Sequence, residues 1–197
     1  MNIVEGLKKH SAESKIAMII RHGDREKIPA GEYGNDVLLN QKGQENSFKL
    51  GESLRPFQVN KILTSPIQRC IQTAEFLKKG YGREVEITQT QCLGAPGLHI
   101  TDDVLAGEYF LKHGFFKILD EFIEGKSSPG LRDKLQYEKA MTDFIRSNTQ
   151  KSGLTIYVTH DSLIALYHYC LNGTIYTTQN WVKYLDGVLL NISTNEK

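Results

Sequence analysis

Two histidines and two arginines stand in this chain where they could move a phosphoryl group. The first pair lies in Arg21-His22-Gly23, directly after the apolar run Ile16-Ala17-Met18-Ile19-Ile20. A neutral imidazole is a nucleophile, and a covalent intermediate divides one hard displacement into two easier ones. Arg21 offers a planar fork of donors that matches a phosphate. Gly23 lets the backbone turn sharply or come close to a ligand. Arg69 follows Thr64-Ser65-Pro66-Ile67-Gln68, and His160 follows the β-branched run Leu154-Thr155-Ile156-Tyr157-Val158-Thr159.

All three segments read as a strand ending in a turn, and in open α/β sheets ligands sit outside the carboxyl ends of strands. Ser65 suits a helix N-cap and Pro66 a first helical turn. Arg69 then falls in the first turn, beside free N–H groups that favour an anion. The stretch from Leu163 to Cys170 is apolar nearly all round, which predicts a buried helix starting near Asp161 or Ser162. Strand-like segments near residues 15–20, 60–64, 84–89, 154–159 and 187–193 alternate with helix-like ones. That alternation predicts a three-layer α/β/α sandwich on a mostly parallel sheet. Leu50 and Leu54 give the helix around 41–55 an apolar side, and Tyr137, Met141, Phe144 and Ile145 recur at helical spacing. Residues 92–130 form the least regular stretch, with Gly94-Ala95-Pro96-Gly97, Tyr109-Phe110 and Phe115-Phe116.

With Leu39-Asn40-Gln41-Lys42-Gly43, Thr73-Ala74 and Thr159-His160 added to Arg21-His22-Gly23, Ser65-Pro66 and Arg69, the chain resembles the histidine phosphatase superfamily. The resemblance implies a phosphoglycerate mutase-like fold over one domain, residues 1–197, with 92–130 as a substrate-selecting cap or insertion. It implies a phosphohistidine on His22, with one ring nitrogen held by a backbone carbonyl near the glycine. Arg21, Arg69 and His160 would hold the equatorial oxygens, where charge resides during transfer. Arg25 resembles the acid-phosphatase branch and is expected as a fourth phosphate ligand. That branch usually has a proline two positions later, where this chain has Lys27.

Loss of an alkoxide needs a proton donor. Acid phosphatases use the aspartate after the second histidine, here Asp161. Mutase-like members use a glutamate after the third strand, and this chain has no obvious match there. Asp161 is the leading candidate, with Asp24, Glu108, Asp102 and Asp103 as alternatives. The activity expected is that of a metal-independent phosphomonoesterase. The alternatives are a phosphoglycerate-mutase-like phosphotransferase and a non-catalytic protein that binds phospho-ligands.

Other chemistries find little support. The sixth residue after Cys70, Cys92 and Cys170 is Phe76, Leu98 and Tyr176, so no C-x₅-R phosphatase loop exists. Gly125-Lys126-Ser127 resembles the tail of a P-loop, but Asp120 stands where its first glycine belongs. No metal and no cofactor are expected, since His160-Asp161 has no second ligand-spaced pair. A formal net charge of +1 gives no reason to expect a nucleic-acid or membrane partner. The expected partner is a phosphorylated small molecule or phosphoprotein substrate, while oligomeric state stays open. Three unpaired cysteines and no apolar run long enough to span a bilayer predict a cytoplasmic location.

Overall fold

The computed structural model describes residues 3–29, 32 and 34–193. After the short helix α1 (Ile3–Leu7) comes β1 (Lys15–Arg21), then α2 (Gln41–Ser53), β2 (Val59–Thr64), α3 (Gln68–Tyr81) and β3 (Glu86–Gln89). A 3₁₀ turn (Gln91–Leu93) leads to α4 (Asp103–His113) and α5 (Phe115–Ile123), followed by α6 (Lys134–Asn148), β4 (Gly153–Thr159), α7 (Asp161–Asn172) and β5 (Gly187–Asn191).

The five strands form one sheet in the order β3-β2-β4-β1-β5. The first four are mutually parallel, and β5 runs antiparallel along the outer edge of β1. Register levels the strand ends that carry the candidate site. Arg21 lies opposite Thr159, and Thr64 lies opposite Val158. His22, Ser65 and His160 therefore leave the sheet side by side.

Strand side chains alternate between faces, and β1 shows the consequence. Ile16, Met18 and Ile20 join one core with Leu50 of α2 and Leu54 just after it, and with Ala74 and Leu77 of α3. Ala17 and Ile19 join a second core with Leu119 of α5, Met141 of α6 and Ile164 of α7. A strand buried on both faces needs apolar residues at every position, which is how this run reads. The three-layer α/β sandwich with its mostly parallel sheet is present.

Local expectations differ at two places. Ser65 and Pro66 precede α3 without entering it. The N-cap is Ile67 in extended conformation with no side-chain cap bond, and Ser65 Oγ accepts the Ile67 N–H. The stretch expected to be least regular carries two helices, α4 and α5. Asp102 caps the first, accepting from the Val104 and Leu105 N–H groups. Gly114 joins the two at φ 76°, a conformation that glycine adopts without strain. Helical periodicity is weak in α4, where Ala106 is the one buried residue, whereas α5 buries Ile118, Leu119 and Phe122 on one face.

Candidate active site

His22, Arg69, Arg21 and His160 converge at the carboxyl edge of the sheet, each no more than 9% exposed. The His22 Nδ1–H donates to the Gly23 carbonyl at 2.8 Å, which leaves Nε2 with its lone pair. The Arg69 Nε–H donates to that nitrogen at 3.1 Å. Burial foremost, then His160 and Arg69, hold the His22 imidazole well below its ordinary pKa, so the ring is neutral at pH 7. A neutral ring with Nδ1 tied back is the tautomer required of an Nε2 nucleophile.

Around this ring the cations are arranged by local structure. Arg69, in the first turn of α3, also donates through Nη1 to the Gly34 carbonyl at 2.6 Å and through Nη2 to His160 Nδ1 at 3.3 Å. With Nδ1 accepting, the neutral His160 ring carries its proton on Nε2, 3.1 Å from Ser65 Oγ. Burial and the Arg69 charge lower the His160 pKa. Arg21 places Nη1 on the Val182 carbonyl at 2.6 Å and Nη2 on the Asp161 carboxylate at 2.6 Å. Its guanidinium lies 4.0 Å over the Tyr184 ring. The Arg21 Nε is buried without a partner among the described residues, as is the Arg25 Nε. Buried donors are nearly always satisfied, so the unsatisfied Arg21 donor beside the neutral His22, with the Arg25 charge acting on Arg69, suits an anion.

The candidate acids separate clearly. Asp161 opens α7; its Oδ1 accepts from Ser162 N–H, and its Oδ2 accepts from the Trp181 indole at 2.9 Å as well as from Arg21. It is not the N-cap, a place taken by His160. Asp24 turns away to Lys42 at 2.8 Å and Asn46 at 3.3 Å, tying its loop to α2. Asp102 is committed to capping α4. Asp103 lines a cavity beside Arg69 and His160, whereas Glu108 does not. Arg25 anchors its Nη1 on the Glu26 carbonyl, and its chain pairs with Leu39.

Several supports were not legible as such. Thr73 Oγ1 accepts the Gly23 N–H at 3.0 Å, which explains a threonine one turn beyond Arg69. Gly23 is tight against protein: an added β-carbon would sit 2.8 Å from Ser47 Oγ and 2.9 Å from the Gly43 carbonyl. At Gly43 a β-carbon would collide with the Asp24 carbonyl, so the loop after His22 lies directly on α2. Trp181, Val182 and Tyr184 arrive from the segment before β5. Their one sequence signal is the chain's sole tryptophan ahead of a strand.

The site opens into a cavity of about 670 Å³ between the strand ends and helices α4 and α5. His99 is buried and lines it; burial and Arg132 push its pKa down to about 4. Phe110 lines the cavity too, while Tyr109 donates to Glu121. Cys70 is buried, with its thiol pushed up to about 12 by desolvation. Among the described residues no three histidine, cysteine, aspartate or glutamate side chains gather to hold a metal ion. No described helix is long and apolar enough to cross a membrane.

This sheet and its paired histidines define the class that comparison with known proteins finds. The model of the histidine phosphatase superfamily (branch 1) matches residues 17–93, from within β1 to the end of the 3₁₀ turn. The superfamily resemblance of the motifs is thereby shown, and the fold is phosphoglycerate mutase-like. A 2,3-bisphosphoglycerate-dependent phosphoglycerate mutase of Thermoplasma acidophilum is 23% identical over 160 residues, 76% of this chain and 72% of that protein. A phosphoglycerate mutase structure from Bacillus anthracis superposes with a TM-score of 0.58 at 16% identity, covering 93% of this chain and 92% of that one. A mycobacterial glucosyl-3-phosphoglycerate phosphatase gives 0.53 at 16% identity, with 80% and 79% covered. Both mutases and phosphatases thus share this fold.

Proposed function

We propose that this protein is a metal-independent phosphomonoesterase acting through a covalent phosphohistidine on His22. The observation that carries the reading is the neutral His22, its Nδ1 bound to the Gly23 carbonyl and its Nε2 held against Arg69. A phosphoryl group arriving at Nε2 would take the Arg69 donors now spent on the two histidines. The unpaired Arg21 and Arg25 Nε groups would face its oxygens, with His160 as a further donor once its ring proton moves from Nε2 to Nδ1, the nitrogen beside Arg69. Such fixed donors stabilise charge in the transition state without reorganising.

In the first step His22 Nε2 forms the N–P bond as the ester P–O bond breaks. The departing oxygen takes a proton from Asp161, which first exchanges its bond to Arg21 for one to the substrate and takes up the proton that a phosphomonoester monoanion carries in. In the second step water attacks the phosphohistidine, gives its proton to the Asp161 carboxylate and releases inorganic phosphate. Residues 92–130, with α4 and α5, act as the substrate-selecting cap of a single domain spanning 1–197. The chain works in the cytoplasm on a phosphorylated substrate.

Turnover of p-nitrophenyl phosphate with chelator present tests the activity, and phosphoglycerate interconversion tests for a mutase. Incubation with labelled substrate and an alkaline quench should trap a protein-bound label that is stable in base and lost in acid. A His22→Ala protein that still acquires this label would overturn the assignment of the nucleophile.

A further inference from the structure

The cavity beside Arg69 and His160 has an unequal distribution of charge. Every arginine assigned to the phosphoryl group stands at the strand-end side, and of these only Arg69 reaches the cavity wall. Among the described residues lining it, no other lysine or arginine appears, and Asp103 is the one carboxylate. The remaining wall combines the apolar Ile100, Ala106, Phe110, Phe115, Ile118 and Leu131 with uncharged polar groups of Asn35, Gln91 and Ser162. His99 adds no charge, because burial keeps its ring neutral.

A ligand with a second phosphate or a carboxylate would have to strip that anion of water and bury it without a cation, opposite Asp103. Such an unpaired charge is costly in a largely apolar setting. An apolar group there would instead remove hydrocarbon surface from water on both sides. The volume of about 670 Å³ is within the range of small-molecule sites.

We propose that this cavity receives the leaving group and selects phosphomonoesters of uncharged apolar alcohols, aryl or alkyl, over esters bearing a second anion. The helices α4 and α5 and the segment leading into them supply that selectivity, with Phe110 of α4 and Ile100 before it as specificity-determining residues. The proposal rests on the reading of Arg69 and His160 as phosphoryl ligands. It places phosphoglycerates among the disfavoured substrates, although proteins of this fold act on them.

Non-hydrolysable phosphonates test the cavity independently of turnover. Calorimetric titration of the whole chain, with chelator present, would compare 2-phenylethylphosphonate with 3-phosphonopropionate, which share a two-carbon spacer. The aromatic phosphonate should bind at least about tenfold more tightly, as burial of a ring's worth of apolar surface requires. Equal or tighter binding of phosphonopropionate, or no binding of either at millimolar concentration, overturns the proposal. Phe110→Lys and Ile100→Lys, each checked for folding by circular dichroism, should shift the ratio about tenfold toward phosphonopropionate. An unchanged ratio in both variants would remove the cavity from substrate selection. Failure of the phosphatase reading shows separately, as absence of turnover for 2-phenylethyl phosphate and p-nitrophenyl phosphate despite selective phosphonate binding.

Discussion

Asp161 is the residue whose chemistry depends most on its surroundings. Its Oδ2 receives both the Arg21 guanidinium and the Trp181 indole, and its Oδ1 a backbone N–H. Either the carboxyl serves as proton donor after Arg21 shifts to the phosphoryl group, or it serves only to aim Arg21. Leaving-group chemistry separates these roles, because p-nitrophenolate departs with little help from an acid. Asp161→Asn should slow an alkyl phosphate by about a hundredfold or more while slowing p-nitrophenyl phosphate much less. Equal slowing of the two would assign Asp161 to holding Arg21. The same variant keeps an oxygen for the indole, so a lost Trp181 contact would not account for the split.

Among elements, the turn after β3 is placed most tightly against the chemistry. Gly94 sits at φ 142°, and a β-carbon there would lie 2.7 Å from both the His160 ring and Ser65 Oγ. Thr159 Oγ1 donates to the Leu93 carbonyl at 2.6 Å, so this turn is bound to the end of β4 itself. Neither neighbour can retreat easily, since Ser65 and His160 are both buried. Gly94→Ala should therefore displace His160, reducing kcat roughly ten- to a hundredfold. The accompanying stability loss should be about 1–3 kcal/mol, small enough that circular dichroism still reports a folded protein. Full activity in a folded Gly94→Ala protein would show that the His160 position is not held by this turn.

For the whole molecule the buried histidines set the response to acid. His22, His99 and His160 all have pKa values lowered by burial, His99 to about 4. Unfolded histidines bind protons near pH 6.5, whereas the native rings exclude them until far lower pH. Stability is thus greatest above about pH 6.5 and falls as pH drops through the window between the unfolded and folded values. For His99 the loss between pH 7 and pH 5 is about 2 kcal/mol on these values. Urea denaturation at the two pH values should show a marked loss at pH 5, and His99→Asn should narrow the difference. An identical pH dependence in the variant would mean that His99 titrates normally in the native state. Catalysis has a related signature: formation of the phosphoenzyme should persist below pH 6.5, because native His22 stays neutral there.

By itself the sequence determined the parallel core and the residues at its edge. Lys15–Arg21 and Gly153–Thr159 bury side chains on both faces, so a run of apolar and β-branched residues marks each strand and the following histidine marks its end. His22, Arg69 and His160 were legible because each follows such a run closely. Tertiary structure alone decided what surrounds them. The antiparallel direction of β5 brings its beginning, not its end, beside His22, and with it Trp181, Val182 and Tyr184. No local pattern encodes strand direction, which depends on what the sheet edge can pair with. The partnership of Arg21 with Asp161 and the apolar cavity under α4 and α5 likewise join residues far apart in the chain. These contacts form only once both faces of the sheet are packed, and they decide which alcohol can reach the phosphorus.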